Sequence, residues 1–317
     1  MNLDADTPAA TVAARGTRAV HSIDHYALLV PDLDIAADFL DAFGLRVVRG
    51  ENCLEVYAQG DHCWARIFAG ERKCLAYLSF NCFAEDLEGI RQQLLASGAR
   101  PADESPFADG VGAWFLDPDD NLLQVRVGPK TTPDSKQDAT LESTPAGVRG
   151  ASVRSKVAKV RPRRLSHVLL FTPDVQRALT FYEGALGLRL SDRSADIIAF
   201  THAPHGSDHH LIAFVKSSAK GWHHASWDVR DVNEVGQGAS QMAKAGYPHG
   251  WGTGRHVLGS NYFFYVLDPW GSFCEYSADI DFIAAGSNWP AGDFDPEDSL
   301  YQWGPDLPDY FIRNSEA

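Results

Sequence analysis

The chain has 317 residues, and at roughly 100 to 200 residues per domain that length suits two domains. Its formal charge, 28 basic against 42 acidic side chains or −14, sets up an acidic field that repels polyphosphate, so nucleic acid is not an expected partner. No stretch approaches the roughly 20 apolar residues that span a bilayer, and the first 20 residues lack the apolar core of a signal peptide, so no membrane association and a cytoplasmic location are expected. The five cysteines, Cys53, Cys63, Cys74, Cys82 and Cys274, form no CxxC pair, which points to reduced, buried thiols rather than disulfides or a Cys-based zinc site.

Residues 1–20 read as a flexible N-terminus. From His25, HYALLVPDLDIAADFLDAFGLRVV reads as a buried strand, a Pro-Asp break in which Asp32 caps a helix, and a helix ended by Gly44. CLAYLSFNCFAEDLEGIRQQLLASG follows as strand, amphipathic helix at about 85–97 and glycine, with Leu87, Ile90, Leu94 and Leu95 at three and four spacing. Two strands joined at an Asp-Pro turn, WFLDPDDNLLQV, close this half. Residues 129–163 are polar and free of aromatics, and they read as an interdomain linker.

Beyond the linker the pattern returns. HVLLFTPDVQRALTFYEGALGLRL begins at His167 and ends its helix at Gly187, HHASWDVRDVNEVGQGASQMAKAG carries a helix at about 231–245, and YVLDPWGSFCEY supplies the closing strands. In both halves Pro-Asp stands six residues after the His, and Phe39 and Phe181 stand seven after the Asp. The chain therefore reads as an α+β protein of four βαβββ modules in two domains, 21–128 and 164–284. The tail, 285–317, has too many aromatics for a plain disordered end; it reads as a lid, a subunit contact or a wrap around the domain surface.

Asp-Pro precedes Gln124 and Glu275 by the same seven residues, so the two occupy equivalent strand positions. A carboxylate facing inward from a strand costs several kcal/mol unless it is paired, with Arg255 for example, or binds a metal. His167 and the pair His223 and His224 each read as opening a strand in the same half. Two imidazoles and Glu275 converging on one concave face form the 2-His-1-carboxylate triad of non-haem iron sites. A lone strand histidine is more often a hydrogen-bonded core residue. Three such groups in one half, with the carboxylate reduced to Gln in the other, favour the metal.

The run from Gly254 to Glu275, GRHVLGSNYFFYVLDPWGSFCE, presents His256, Phe264 with Tyr265, Asp268 with Pro269, Gly271 and Glu275 in order. It closely resembles the signature of the type I extradiol ring-cleaving dioxygenases of the vicinal oxygen chelate superfamily. The resemblance implies two vicinal oxygen chelate domains, the second catalytic and the first without a metal. It implies Fe(II), with Mn(II) also compatible, held by His167, His224 and Glu275; His223 is the alternative to His224, since adjacent strand residues should face opposite sides. It also implies His210 as the acid-base residue, with His209 as fallback on the other face of its strand, and His256 and Tyr265 holding the substrate oxygens. His202, His205 and His249 read as loop or rim residues. A catechol and O2 are then the expected partners, a neutral substituted catechol being favoured, and a homo-oligomer is the expected assembly. The rival readings are a glyoxalase-like isomerase or thiol transferase of the same superfamily, and an inactive binding homologue.

Overall fold

The computed structural model describes residues 18–138 and 143–317. Residues 1–17 of the expected flexible N-terminus and 139–142 of the expected linker lie outside the described residues. The first module comprises β1 (Val20–Val30), α1 (Leu33–Phe43), β2 (Arg46–Arg49), β3 (Cys53–Tyr57) and β4 (Cys63–Ala69); the second comprises β5 (Cys74–Cys82), α2 (Leu87–Ala96), β6 (Arg100–Pro101), β7 (Ala113–Leu116) and β8 (Leu122–Val127). The third has β9 (Arg164–Thr172), α3 (Val175–Leu186), β10 (Arg189–Ser194), β11 (Ile198–His202), a two-residue β12 (Ser207–Asp208) and β13 (Ile212–Lys216). The fourth has β14 (Gly221–Asp228), α4 (Val232–Lys244), β15 (Gly250–His256), β16 (Tyr262–Leu267) and β17 (Phe273–Ala278), after which come β18 (Phe282–Ile283), β19 (Gly292–Asp293) and β20 (Tyr301–Trp303). No described helix is long and apolar enough to cross a membrane.

Each half forms one main sheet, ordered β2-β3-β4-β1-β5-β8-β7-β6 in the first and β10-β11-β13-β9-β14-β17-β16-β15 in the second, and β12 pairs with β18 as a separate two-stranded sheet. The opening strands of paired modules run antiparallel at the centre, and each module's first and last strands lie parallel beside one another. The tail extends the second sheet at both ends: β19 pairs with β10 and β20 with β15. Only residues 294–300 separate those two strands, and seven residues reach at most ~25 Å. The sheet therefore curls until its two edges lie within one short strap of each other.

The caps follow the sequence. Asp32 Oδ1 accepts from the amides of Asp34 and Ile35 at 2.8 and 3.0 Å, and Asp174 Oδ1 accepts from Arg177 N at 2.9 Å. Gly44 and Gly187 end their helices at φ +104° and +69°. One expectation fails: Leu95 is 64 % exposed, and α2 buries Ile90 and Leu94 instead. The halves also do not bury separate cores. One continuous apolar cluster runs through both, with α1 beside α4 and α2 beside α3. Phe43 stacks on Tyr276 at 3.9 Å, and the Tyr276 hydroxyl donates to Phe43 O. The segment between the halves is packed at its two ends, where Thr131 Oγ1 donates to Ile23 O at 2.6 Å, Val160 is buried, and Gln59 N donates to Pro162 O at 3.0 Å, while residues 143–159 are exposed.

Candidate metal centre

His167 and His224 are the fourth residues of β9 and β14, so they sit inside their strands rather than opening them. Along β9, His167, Leu169 and Phe171 face the concave side, while Val168 and Leu170 enter the core, the period of two that a strand imposes. On β17, Cys274 and Tyr276 face the core, and Glu275 points to the concave side opposite Tyr265. β14 departs from alternation. Its ladder with β9 slips between Trp222 and His224, so Trp222 joins the core and both His223 and His224 line the cavity. The expectation that these two histidines face opposite sides is thus corrected by a bulge.

His167, His224 and Glu275 are each at most 2 % exposed, and their ligand atoms all lie within 4.8 Å of one another. Glu275 Oε2 is 3.2 Å from His167 Nε2 and 3.6 Å from His224 Nε2. Neither Glu275 Oε2 nor His224 Nε2 has a hydrogen-bond partner, and both are buried. Two orphaned lone-pair bearers, one carboxylate oxygen and one imidazole nitrogen, beside a second imidazole are costly unless a cation joins them, so the donor set fits a metal.

The groups behind the ligands decide which nitrogen is free. His223 Nε2 donates to Phe311 O at 2.9 Å, so its Nδ1 accepts from His224 Nδ1 at 2.7 Å and His224 Nε2 keeps its lone pair. Ser166 Oγ donates to Asp208 Oδ2 at 2.8 Å and accepts from His167 Nδ1 at 3.2 Å, with the same result at His167 Nε2. Asn261 Nδ2 donates to Glu275 Oε1 at 3.0 Å and leaves Oε2 open. Asn261 lies inside the signature run, but a polar residue in a turn reads as solvated until the fold buries it. Arg255 does not meet Glu275: it lies over Tyr262 and 3.8 Å from Asp279.

Around the triad, His210, His256 and Tyr265 line a cavity of ≈ 250 Å³. The His210 ring lies 4.0 Å from that of His167, and Tyr265 O–H is 2.9 Å from His256 Nε2. His256 Nδ1 donates to Leu300 O at 2.7 Å. Burial, with His167, His209 and other imidazoles nearby, pushes the His210 pKa well below the usual histidine range. Burial and the Glu275 carboxylate push that of Tyr265 well above 10. His209 and His210 precede β13 instead of lying on it, and their Nδ1 atoms are 3.0 Å apart, so His209 is not turned to an opposite strand face. His202 and His205 are buried, not rim residues. Apart from the Ser194–Ser299 hydroxyl pair, the remaining walls are apolar, with Leu169, Phe171, Phe200 and Leu258 from the sheet side and Leu300 and Phe311 from the tail among them.

In the first half the equivalent positions are filled from within. His25 faces Ser79 across the β1–β5 ladder as His167 faces Ser226, and two residues before Ser79 stands Tyr77 in place of His224. Tyr77 O–H meets His25 Nε2 at 2.9 Å, and Ser79 Oγ donates to Gln124 Oε1 at 2.7 Å. Trp114, Phe107 and Phe68 pack where the other half has its cavity.

Residues 164–276 match the model of the Glyoxalase/Bleomycin resistance protein/Dioxygenase superfamily. The chain is 72 % identical over 314 residues to metapyrocatechase 2 of Cupriavidus necator, an alignment that covers 99 % of this chain and 98 % of that protein. Among solved structures it resembles the Mn(II)-bound glyoxalase of Novosphingobium aromaticivorans, with TM-score 0.73 and 24 % identity over 93 % of this chain and 95 % of that one. It also resembles an extradiol ring-cleaving dioxygenase from B. fuscum, with TM-score 0.72 and 20 % identity over 94 % and 84 %. The two structural likenesses share the fold across different chemistries, so the fold alone does not choose between them.

Proposed function

The chain belongs to the metapyrocatechases, extradiol dioxygenases of the glyoxalase and dioxygenase superfamily, and from that membership we propose metal-dependent cleavage of a catechol ring beside its vicinal diol, both atoms of O2 entering the product. The observation that carries the site assignment is the pair of orphaned atoms, Glu275 Oε2 and His224 Nε2, beside His167 Nε2 at the base of an apolar cavity. His167, His224 and Glu275 hold the ion, Fe(II) by this reading, with Mn(II) the competitor for the same donors. When bound, it supplies the Lewis acidity that makes loss of a diol proton feasible near neutral pH and the redox route between diol and O2.

The protein's own groups do the rest. The neutral His210 ring takes a proton from the diol side and returns one as the ring opens. Tyr265 and His256 form a hydrogen-bonded pair that fixes the diol oxygens opposite His210. The apolar walls exclude water and present no cation to a substrate carboxylate, which favours a neutral substituted catechol. The first half holds no second centre by this reading, since His25 pairs with Tyr77, and Gln124 with Ser79 and Asp109. The enzyme is read as a cytoplasmic homo-oligomer, which fractionation and light scattering test.

The deciding experiment measures metal content and oxygen uptake on a panel of catechols. One equivalent of iron per chain with ring cleavage is expected. Two equivalents would overturn the reading of the first half, and uptake with manganese alone would overturn the choice of iron.

A further inference from the structure

Beside the cavity lies a chain of buried groups that the reaction above does not use. Asp192 on β10 is 5 % exposed and His209 is fully buried. Asp192 Oδ2 meets His209 Nε2 at 2.7 Å, and His209 Nδ1 meets His210 Nδ1 at 3.0 Å with the two rings perpendicular. His209 is pinned on both sides, its amide donating to Asp281 O at 2.6 Å and its carbonyl accepting from Ser191 Oγ. The tail holds the other end: Gly292 N donates to Asp192 Oδ1 at 2.7 Å and Trp289 Nε1 to Oδ2 at 3.3 Å.

Proton bookkeeping along this chain has one solution when both rings are neutral. A carboxylate only accepts, so His209 Nε2 carries hydrogen and its Nδ1 is bare. His210 Nδ1 must then carry hydrogen, which leaves His210 Nε2 as the acceptor available to the cavity. We infer that Asp192 and His209 are positioning residues that hold His210 in its Nδ1–H tautomer, with the tail keeping the Asp192 carboxylate aimed. The arrangement parallels His223 behind His224, so each His-His pair uses its first ring to set the free nitrogen of its second. A proton taken by His210 Nε2 leaves an imidazolium whose Nδ1–H points through His209 toward a carboxylate. The inference rests on the ring-cleavage reading for the use of His210, though not for its tautomer.

Asp192→Asn gives the sharpest test because its outcome follows from the same bookkeeping. Gly292 N, at 2.7 Å from Oδ1, needs its acceptor more than Trp289 Nε1, at 3.3 Å from Oδ2, so the amide oxygen takes the Oδ1 position and the amide nitrogen faces His209 Nε2 and donates to it. His209 then carries hydrogen on Nδ1, and His210 on Nε2: both tautomers invert. In full-length protein carrying 15N-labelled imidazoles and loaded with diamagnetic Zn(II), the His210 nitrogens should exchange their protonated and bare signatures between wild type and Asp192→Asn. In the iron-loaded enzyme kcat should fall about 10²-fold, with iron content unchanged and KM for catechol within about threefold. His209→Phe keeps the ring volume and should lose as much kcat, and the double variant no more than either single one. Wild type with hydrogen on His210 Nε2, or an Asp192→Asn protein with wild-type tautomers and kcat within twofold, overturns the inference. Inversion in a protein that cleaves no catechol supports the relay and overturns the ring-cleavage reading instead.

Discussion

At His224 the residue before it decides which nitrogen is free for a metal, and that makes neighbouring histidines separable by experiment. His224→Ala removes a proposed ligand and should leave under about a tenth of an equivalent of iron and no ring cleavage. His223→Phe removes only the acceptor behind His224 and the donor to Phe311 O, so iron should remain but bind about 10- to 100-fold more weakly, measured by chelator competition. If His223→Phe empties the site and His224→Ala does not, the proposed assignment is reversed. Asn261→Leu should weaken iron in the same range, since Glu275 Oε1 loses its donor. His209→Asn, which strand alternation would make harmless, should not be harmless, because His209 joins Asp192 to His210.

At the scale of elements, the two repeats lock each other through their helix ends. A Cβ on Gly44 would sit 2.0 Å from Val160 O, in the lead-in to β9, and one on Gly187 would sit 2.5 Å from Arg18 O, in the lead-in to β1. Each half's first helix thus closes against the backbone that opens the other half. Gly44→Ala combines a left-handed backbone with a clash against main chain and should destabilise by more than about 2 kcal/mol, whereas Asp174→Ala, which loses a single cap, should cost about 1 kcal/mol. Denaturant midpoints at constant m-value check both. These caps were legible because Pro-Asp and a terminal glycine act locally. The bulge in β14 was not legible, because nothing in GWHHASW distinguishes an inserted residue from the next member of an alternating strand until the β9 ladder is seen.

For the whole molecule, the first half touches the tail whose residues line the cavity. Lys73 at the start of the first half's second module is buried against Ser272, 4.0 Å from both Asp268 and Glu316, and Glu316 also accepts from Trp222 N. Burial lowers the Lys73 pKa while the two carboxylates oppose that shift. Lys73→Ala takes the cation from two largely buried carboxylates that keep only their backbone donors, should cost about 3 kcal/mol, and by loosening the tail that carries Phe311 and Ile312 should raise KM for catechols before it alters iron content. Acid should destabilise the fold in a defined window. Burial lowers the pKa values of His21 and His202 to about 4, so between pH 6.5 and 4 the unfolded chain binds protons that the folded chain refuses. Stability is therefore full above pH 6.5, falls by about 1.4 kcal/mol per unit per histidine as pH drops, and levels off below 4. His202→Asn, which keeps a donor for Ser191 Oγ, should flatten that slope between pH 7 and 5.

The sequence by itself determined the four modules, their pairing into halves, the helix ends and the half that carries the proposed ligand set, because these depend on local chemistry repeated at constant spacing. The signature run also marked His256, Tyr265 and Glu275, whose order along two adjacent strands survives as their register. Only the tertiary structure decided the rest: that both halves share one core, that the tail's two short strands join opposite edges of one sheet, and that Asp192, His209, Ser166 and Asn261 stand behind the residues of the site. Each of those depends on distances between segments far apart in the chain, which hydrophobic period and spacing do not encode.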